Sequence, residues 1–153
     1  MRYLVTVCVA FLLGTGSALA GPGAEFAEFA SDLRGEAQMR ASDAASRPAA
    51  PADRIDIEDP FYFELEQFAA DAMRLSRAIS DTGGAEDLQC IFRGMSRDAE
   101  ARLGALNEAD SAGEQARIYR AIADLMRDAS EIAPAADDGA LGASMPLPTC
   151  SAG

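Results

Sequence analysis

Between residues 58 and 135 the apolar side chains recur three times in succession at helical spacing, and nowhere do they alternate with period two. Phe61, Leu65, Phe68, Ala72, Leu75 and Ile79 form the first stripe. Leu88, Ile91, Phe92, Met95, Ala99, Leu103 and Leu106 form the second, and Ile118, Ile122, Leu125, Met126, Ala129 and Ile132 the third. A stripe about 100° wide covers one shared core but does not enclose a helix on all sides. The punctuation agrees with the stripes. Asp59 is a good N-cap and Pro60 suits the first helical position, where a missing N–H costs nothing. Gly83 suits the left-handed position after a helix end. Ser111 and Glu114 have capping-box spacing, and Pro134 stops the last helix. Short connections make successive helices antiparallel neighbours. The expected fold is all-α, a small antiparallel bundle with three core helices over residues 58–135.

A fourth amphipathic segment lies at residues 21–40, where Phe26, Phe29, Ala30, Leu33 and Ala37 share one helical face. Residues 41–57 follow, rich in Ala, Ser, Pro and Asp and without evident apolar periodicity. They read as a linker, so the N-terminal helix is expected to be tethered to the bundle rather than part of its core. Past residue 135, a tail at 136–153 is rich in Gly, Ala and Pro.

Residues 1–20 read as an export signal. Arg2 supplies the positive charge, Tyr3 to Leu13 is an apolar run, and Ala18-Leu19-Ala20 is a cleavage site of the A-x-A kind. The apolar run is shorter than the roughly 17–25 residues of a spanning helix. No twin arginine is present, and Val7 is too large to precede a lipidated Cys8. The expectation is a Sec-type signal cleaved after Ala20, delivery to the periplasm or the medium, and no stable membrane insertion afterwards.

Composition removes whole classes of chemistry. The chain holds no His and no Trp, and its 13 basic residues are all arginines against 25 acids. Without histidine the commonest general base and metal ligand is missing, and without lysine so are Schiff-base mechanisms. Ser-His-Asp and Cys-His arrangements cannot be built. Loss of Arg2 with the signal leaves a formal net charge of −13 from twelve arginines and 25 acids. Such a surface repels nucleic acid and anionic lipid. No catalytic residue, metal site or cofactor is expected.

Four features depart from the stripes. Cys90 lies opposite the apolar face of its own helix, on a side lined by Gly94, Ala101 and Gly104. In an antiparallel pair the end of the last helix lies near the start of the one before it. The tail therefore begins close to Cys90, and a Cys90–Cys150 disulfide is expected in an exported chain. Phe63 points away from the stripe of Phe61. The preferred reading packs the 21–40 helix over Phe63, and the alternative leaves it exposed to a partner. Arg102 sits at a stripe edge, its stem along the core boundary, where an ion pair with the last helix is conceivable. The acids at Asp53, Asp56, Glu58 and Asp59, and at Asp137 and Asp138, lack EF-hand spacing.

These features point to an exported helical accessory protein that acts by binding another exported or membrane protein. Phe26, Phe29, Leu33 and Phe63 are its candidate interaction residues, the first three by helix-in-groove docking or, equally well, by packing within the chain. A carrier of a small apolar ligand is the alternative. A hydrolase built on carboxylates ranks below both.

Overall fold

The computed structural model describes residues 21–137, except 55 and 57, together with Cys150. Residues 1–20, with Cys8 and the expected signal, and tail positions 138–149 and 151–153 lie outside the described residues. Four α-helices follow one another: α1 (Pro22–Ser46), α2 (Pro60–Asp81), α3 (Glu86–Glu108) and α4 (Ala112–Ile132), with a 3-10 turn at Ala133–Ala136. No β-strand occurs among the described residues, and the expected all-α antiparallel bundle is the observed architecture. None of the helices is long and apolar enough to cross a membrane.

Both ends of α2 and the start of α4 are set by the residue chemistry that marks them in the sequence. Asp59 accepts a hydrogen bond from the Phe61 N–H at 3.0 Å, with Pro60 in the first turn. Gly83 takes φ +70° after α2, a conformation that glycine adopts without steric cost. The Ser111 hydroxyl accepts from the Glu114 N–H at 3.2 Å. The Glu114 carboxylate reaches back to the Asp110 N–H, one residue beyond the strict capping box.

The N-terminal segment corrects the sequence expectation. It is neither tethered nor short, because α1 runs to Ser46 and is a full member of a four-helix core. Phe26, Ala30, Leu33, Ala37, Ala41 and Ala44 are all buried along it. Its stripe continues through Ala41 and Ala44, inside the region read as linker. Alanine carries little hydropathy, so an alanine-serine helix looks like low complexity although it packs well. Arg47, placed before Pro48, ends the helix, since a residue preceding proline is disfavoured in the α conformation.

α1 runs antiparallel to α4 and approaches it more closely along its length than any other helix pair. Both helices bury alanines there, which lets the two backbones come together. Ala44, Ala112 and Ala116 close one end of this interface. At the other end Asp137 takes hydrogen bonds from the Gly23 and Ala24 N–H groups at 2.8 and 2.7 Å. A carboxylate from the end of α4 thus caps the electropositive start of α1. Gly23 tolerates no side chain, because a Cβ would collide with the Ala133 carbonyl oxygen.

The remaining part of the presumed linker is also held. Ala112 and Gly113 donate to the carbonyls of Ala50 and Pro48 at 3.0 and 3.1 Å, so the segment satisfies first-turn N–H groups of α4. Buried Gln115 completes the attachment. Its side chain accepts from the Asp53 N–H at 2.9 Å and donates to the Asp53 carbonyl at 2.5 Å.

The core is aromatic at its centre. Phe26 stacks on Phe68 with ring centroids 4.9 Å apart and meets Phe92 edge-on at 6.0 Å. Phe61 meets Tyr119 edge-on at 5.6 Å. Buried Ser76 donates to the Gln89 carbonyl at 2.8 Å, joining α2 to α3 without leaving its hydroxyl unpaired. One stripe assignment changes: Ile91, expected inside, is 37% exposed. Arg102 is part-buried at the stripe edge and pairs with Asp98 one turn back on α3 at 3.3 Å.

Candidate functional site

The two cysteines expected to pair come together. Cys90 and Cys150 are disulfide-bonded, their Cα atoms 5.6 Å apart. The bond ties the tail to the first turns of α3.

The four candidate interaction residues are not brought together. Phe26 and Leu33 are buried in the core, so their apolar surface is already used inside the chain. Phe29 is half-buried and lines a groove of about 480 Å³ between α1 and α2, together with Leu75, Asp71 and Arg74. Phe63 differs from all three, being 56% exposed near the start of α2. The preferred expectation that the N-terminal helix covers it is therefore corrected. α1 docks on the inner side of α2, where Phe68 and Leu65 offer more apolar area, and leaves the face of Phe63 open. Its aromatic neighbour is the adjacent Tyr62, 6.5 Å away between centroids.

Phe63 lies one helical turn before Glu66, which lines a broad groove. This groove of about 900 Å³ runs between the outer faces of α2 and α3, floored by Leu65, Ala69, Met73, Leu103 and Gly104. Among the described residues nothing lies within 4 Å of where a Cβ would stand at Gly104 or Gly94. Charged groups rim the groove: Glu66, Arg74 and Arg77 from α2 and Glu100 from α3. Met39 on α1, 64% exposed, is a further outward apolar residue that the periodicity did not single out.

The strongest electrostatic feature is also one that the sequence alone did not disclose. Arg40 on α1 donates to both oxygens of Asp59, at 2.7 and 2.8 Å, and to Glu36 at 2.7 Å. Its guanidinium carbon lies 4.8 Å from the centroid of the Phe61 ring, in reach of a cation–π contact. Burial alone would lower its pKa, but the hydrogen bonds to Asp59, Glu36 and Tyr119 more than offset this and hold it above its ordinary value. Burial pushes the Tyr119 phenol up, partly countered by Arg40. Hydrogen bonding from Arg40 holds the Asp59 carboxyl below the usual carboxylate range. Burial opposes that shift, and the Phe61 N–H adds to it.

Asp59 therefore does two jobs, capping α2 and pinning the end of α1 to it. The sign of its pH dependence follows from the lowered pKa. Its stabilising contribution is complete above the unfolded value of about 4 and is lost as pH falls through the lower folded value. Asp59→Asn keeps the cap and loses the ion pair. Denaturation in urea from pH 7 to pH 2 should show the parent more stable by about 1–3 kcal/mol near neutrality. The two proteins should begin to converge below about pH 4 and meet only below the lowered value of Asp59 in the folded state. A difference that stays constant with pH would remove the ion pair as its cause.

Among the described residues no group of three or more His, Cys, Asp or Glu is placed to hold a metal ion. A carboxylate hydrolase needs an acid with a raised pKa, and Asp59 is displaced in the opposite direction. The Arg40 cluster is best read as a structural clamp, and the outer face of α2 as the surface available to another molecule. No family model matches this chain, and no curated protein or solved structure matches it either.

Proposed function

We propose that this chain is a small exported helical accessory protein that works by binding another protein and not by catalysis. The observation that carries the reading is Phe63. It is a largely exposed aromatic on a rigid helix whose opposite face is locked in the core, and it lies one helical turn before Glu66, which lines an open groove. Aromatic anchors of this kind are enriched at protein interfaces. The export signal at residues 1–20 with cleavage after Ala20 belongs to the proposal. The Cys90–Cys150 bond supports it, since disulfides persist in oxidising compartments. The partner is a second exported protein or the exported face of a membrane protein.

The carrier reading has less behind it. The interior is filled by Phe61, Phe68, Phe92, Leu33, Leu65 and Ile122, and the groove beside Phe29 opens to solvent.

A photo-reactive phenylalanine analogue at position 63, introduced in the cell that makes the protein, tests the proposal. Illumination should give one dominant protein adduct, and the same group at exposed Gln38 should not. An adduct-free protein that retains a small apolar molecule in native mass spectrometry would favour the carrier reading instead.

A further inference from the structure

The outer face of α2 has an internal symmetry. Phe63, Glu66, Ala70, Arg74 and Arg77 are all exposed, and their spacings of three, four, four and three residues read the same in both directions. At 100° per residue the five fall within an arc of about 80°, a single seam along the helix. A two-fold axis through Ala70 would superpose this seam on its own antiparallel copy.

The charges along the seam then become complementary. Glu66 of one chain meets Arg74 of the other, and the reverse contact occurs on the far side of the axis. Phe63 meets Arg77 of the other chain, a cation–π pairing, and lies against Met73 in the groove. Ala70 faces Ala70, so the two helices can approach closely. Each exposed group on the seam finds a partner of matching chemistry, as an isologous interface requires. Arg74 is 71% exposed and so is free to reach across, although it also contacts Asp71 on its own helix. Gly104 in the neighbouring groove wall fits the same picture. A glycine inside a helix costs about 1 kcal/mol, and no described residue lies within 4 Å of where its Cβ would stand.

We propose that the molecule docked on this face is a second copy of the chain, joined as a two-fold dimer through antiparallel α2 helices centred on Ala70. The inference rests on the reading of the α2 face as a protein-binding surface and names its occupant.

Sedimentation equilibrium of the purified exported protein, disulfide intact and at physiological ionic strength, tests it. A reversible monomer–dimer equilibrium is expected. Glu66→Arg places like charges together at both symmetric contacts and should raise the dissociation constant about tenfold or more. Arg74→Glu should do the same. The double variant Glu66→Arg/Arg74→Glu exchanges the charges and should restore the parent's affinity. Both positions of this cycle, Glu66 and Arg74, are solvent-exposed, and circular dichroism verifies that each variant is folded. A protein that stays monomeric at several hundred micromolar overturns the proposal, and so does a dimer indifferent to Glu66→Arg. The cross-link at position 63 separates the two levels. A monomeric protein with a different partner captured there removes only the second copy, whereas no protein adduct at all removes the binding reading as well.

Discussion

Phe68→Ala is expected to destabilise the fold by about 3–5 kcal/mol, a large part of the roughly 5–15 kcal/mol that holds a domain of this size together. Phe68 is fully buried on α2 and stacks on Phe26 of α1, which in turn meets Phe92 of α3. Removing the ring costs its transfer free energy and leaves a cavity. Because the lining residues sit on three different helices, no single side chain can relax into it. Phe63→Ala is the matched control: the same substitution on the same helix, at an exposed position, should change stability by no more than about 0.5 kcal/mol. Urea denaturation followed by circular dichroism at 222 nm measures both. Similar losses for the two variants would mean that α1 does not dock where the aromatic contacts place it.

The second large effect belongs to the disulfide. Cys90 and Cys150 are 60 residues apart in sequence, and the loop they close contains most of α3, all of α4 and the tail as far as Cys150. In the chain-entropy treatment, opening a loop of that length frees the unfolded chain by about 4 kcal/mol. Reduction, or Cys90→Ser/Cys150→Ser, should therefore lower the urea midpoint by a comparable amount at unchanged helix content. The helices themselves do not depend on the bond, since their caps and core lie elsewhere. A thermal midpoint identical with and without dithiothreitol would contradict this.

Most of the elements were legible because their signals are local. The end of α2 is written in Thr82 and Gly83, and the start of α4 in Ser111, since caps act within one helical turn. The length and standing of α1 were not legible. Ala41 and Ala44 continue the stripe of Phe26 and Leu33, but in a run of alanine and serine the periodicity is too weak to separate a helix from a linker. Their burial needs a partner that also presents small residues, and Ala112 and Ala116 on α4 supply it from about 70 residues away. The Arg40–Asp59 clamp was hidden for the same reason. Each residue looks like ordinary helix-surface charge until the helices are paired.

Phe63 shows the converse. The pattern marked it as facing away from its own stripe, and that is where the structure leaves it. The pattern could not say whether another helix would cover that side, because the choice is made by competition between faces. α1 went to the larger apolar face of α2, beside Phe68, and one amphipathic helix cannot cover both.

The sequence by itself determined the helical class, the ends of α2 and the start of α4, and the pairing of Cys90 with Cys150, since each follows from side-chain chemistry within a turn or from the geometry of antiparallel neighbours. Only the tertiary structure decided that α1 belongs to the core, that residues 48–53 cap α4, and that the face of α2 carrying Phe63 remains open. Those outcomes depend on which surfaces pack most closely against one another, a comparison among the helices that no single segment contains.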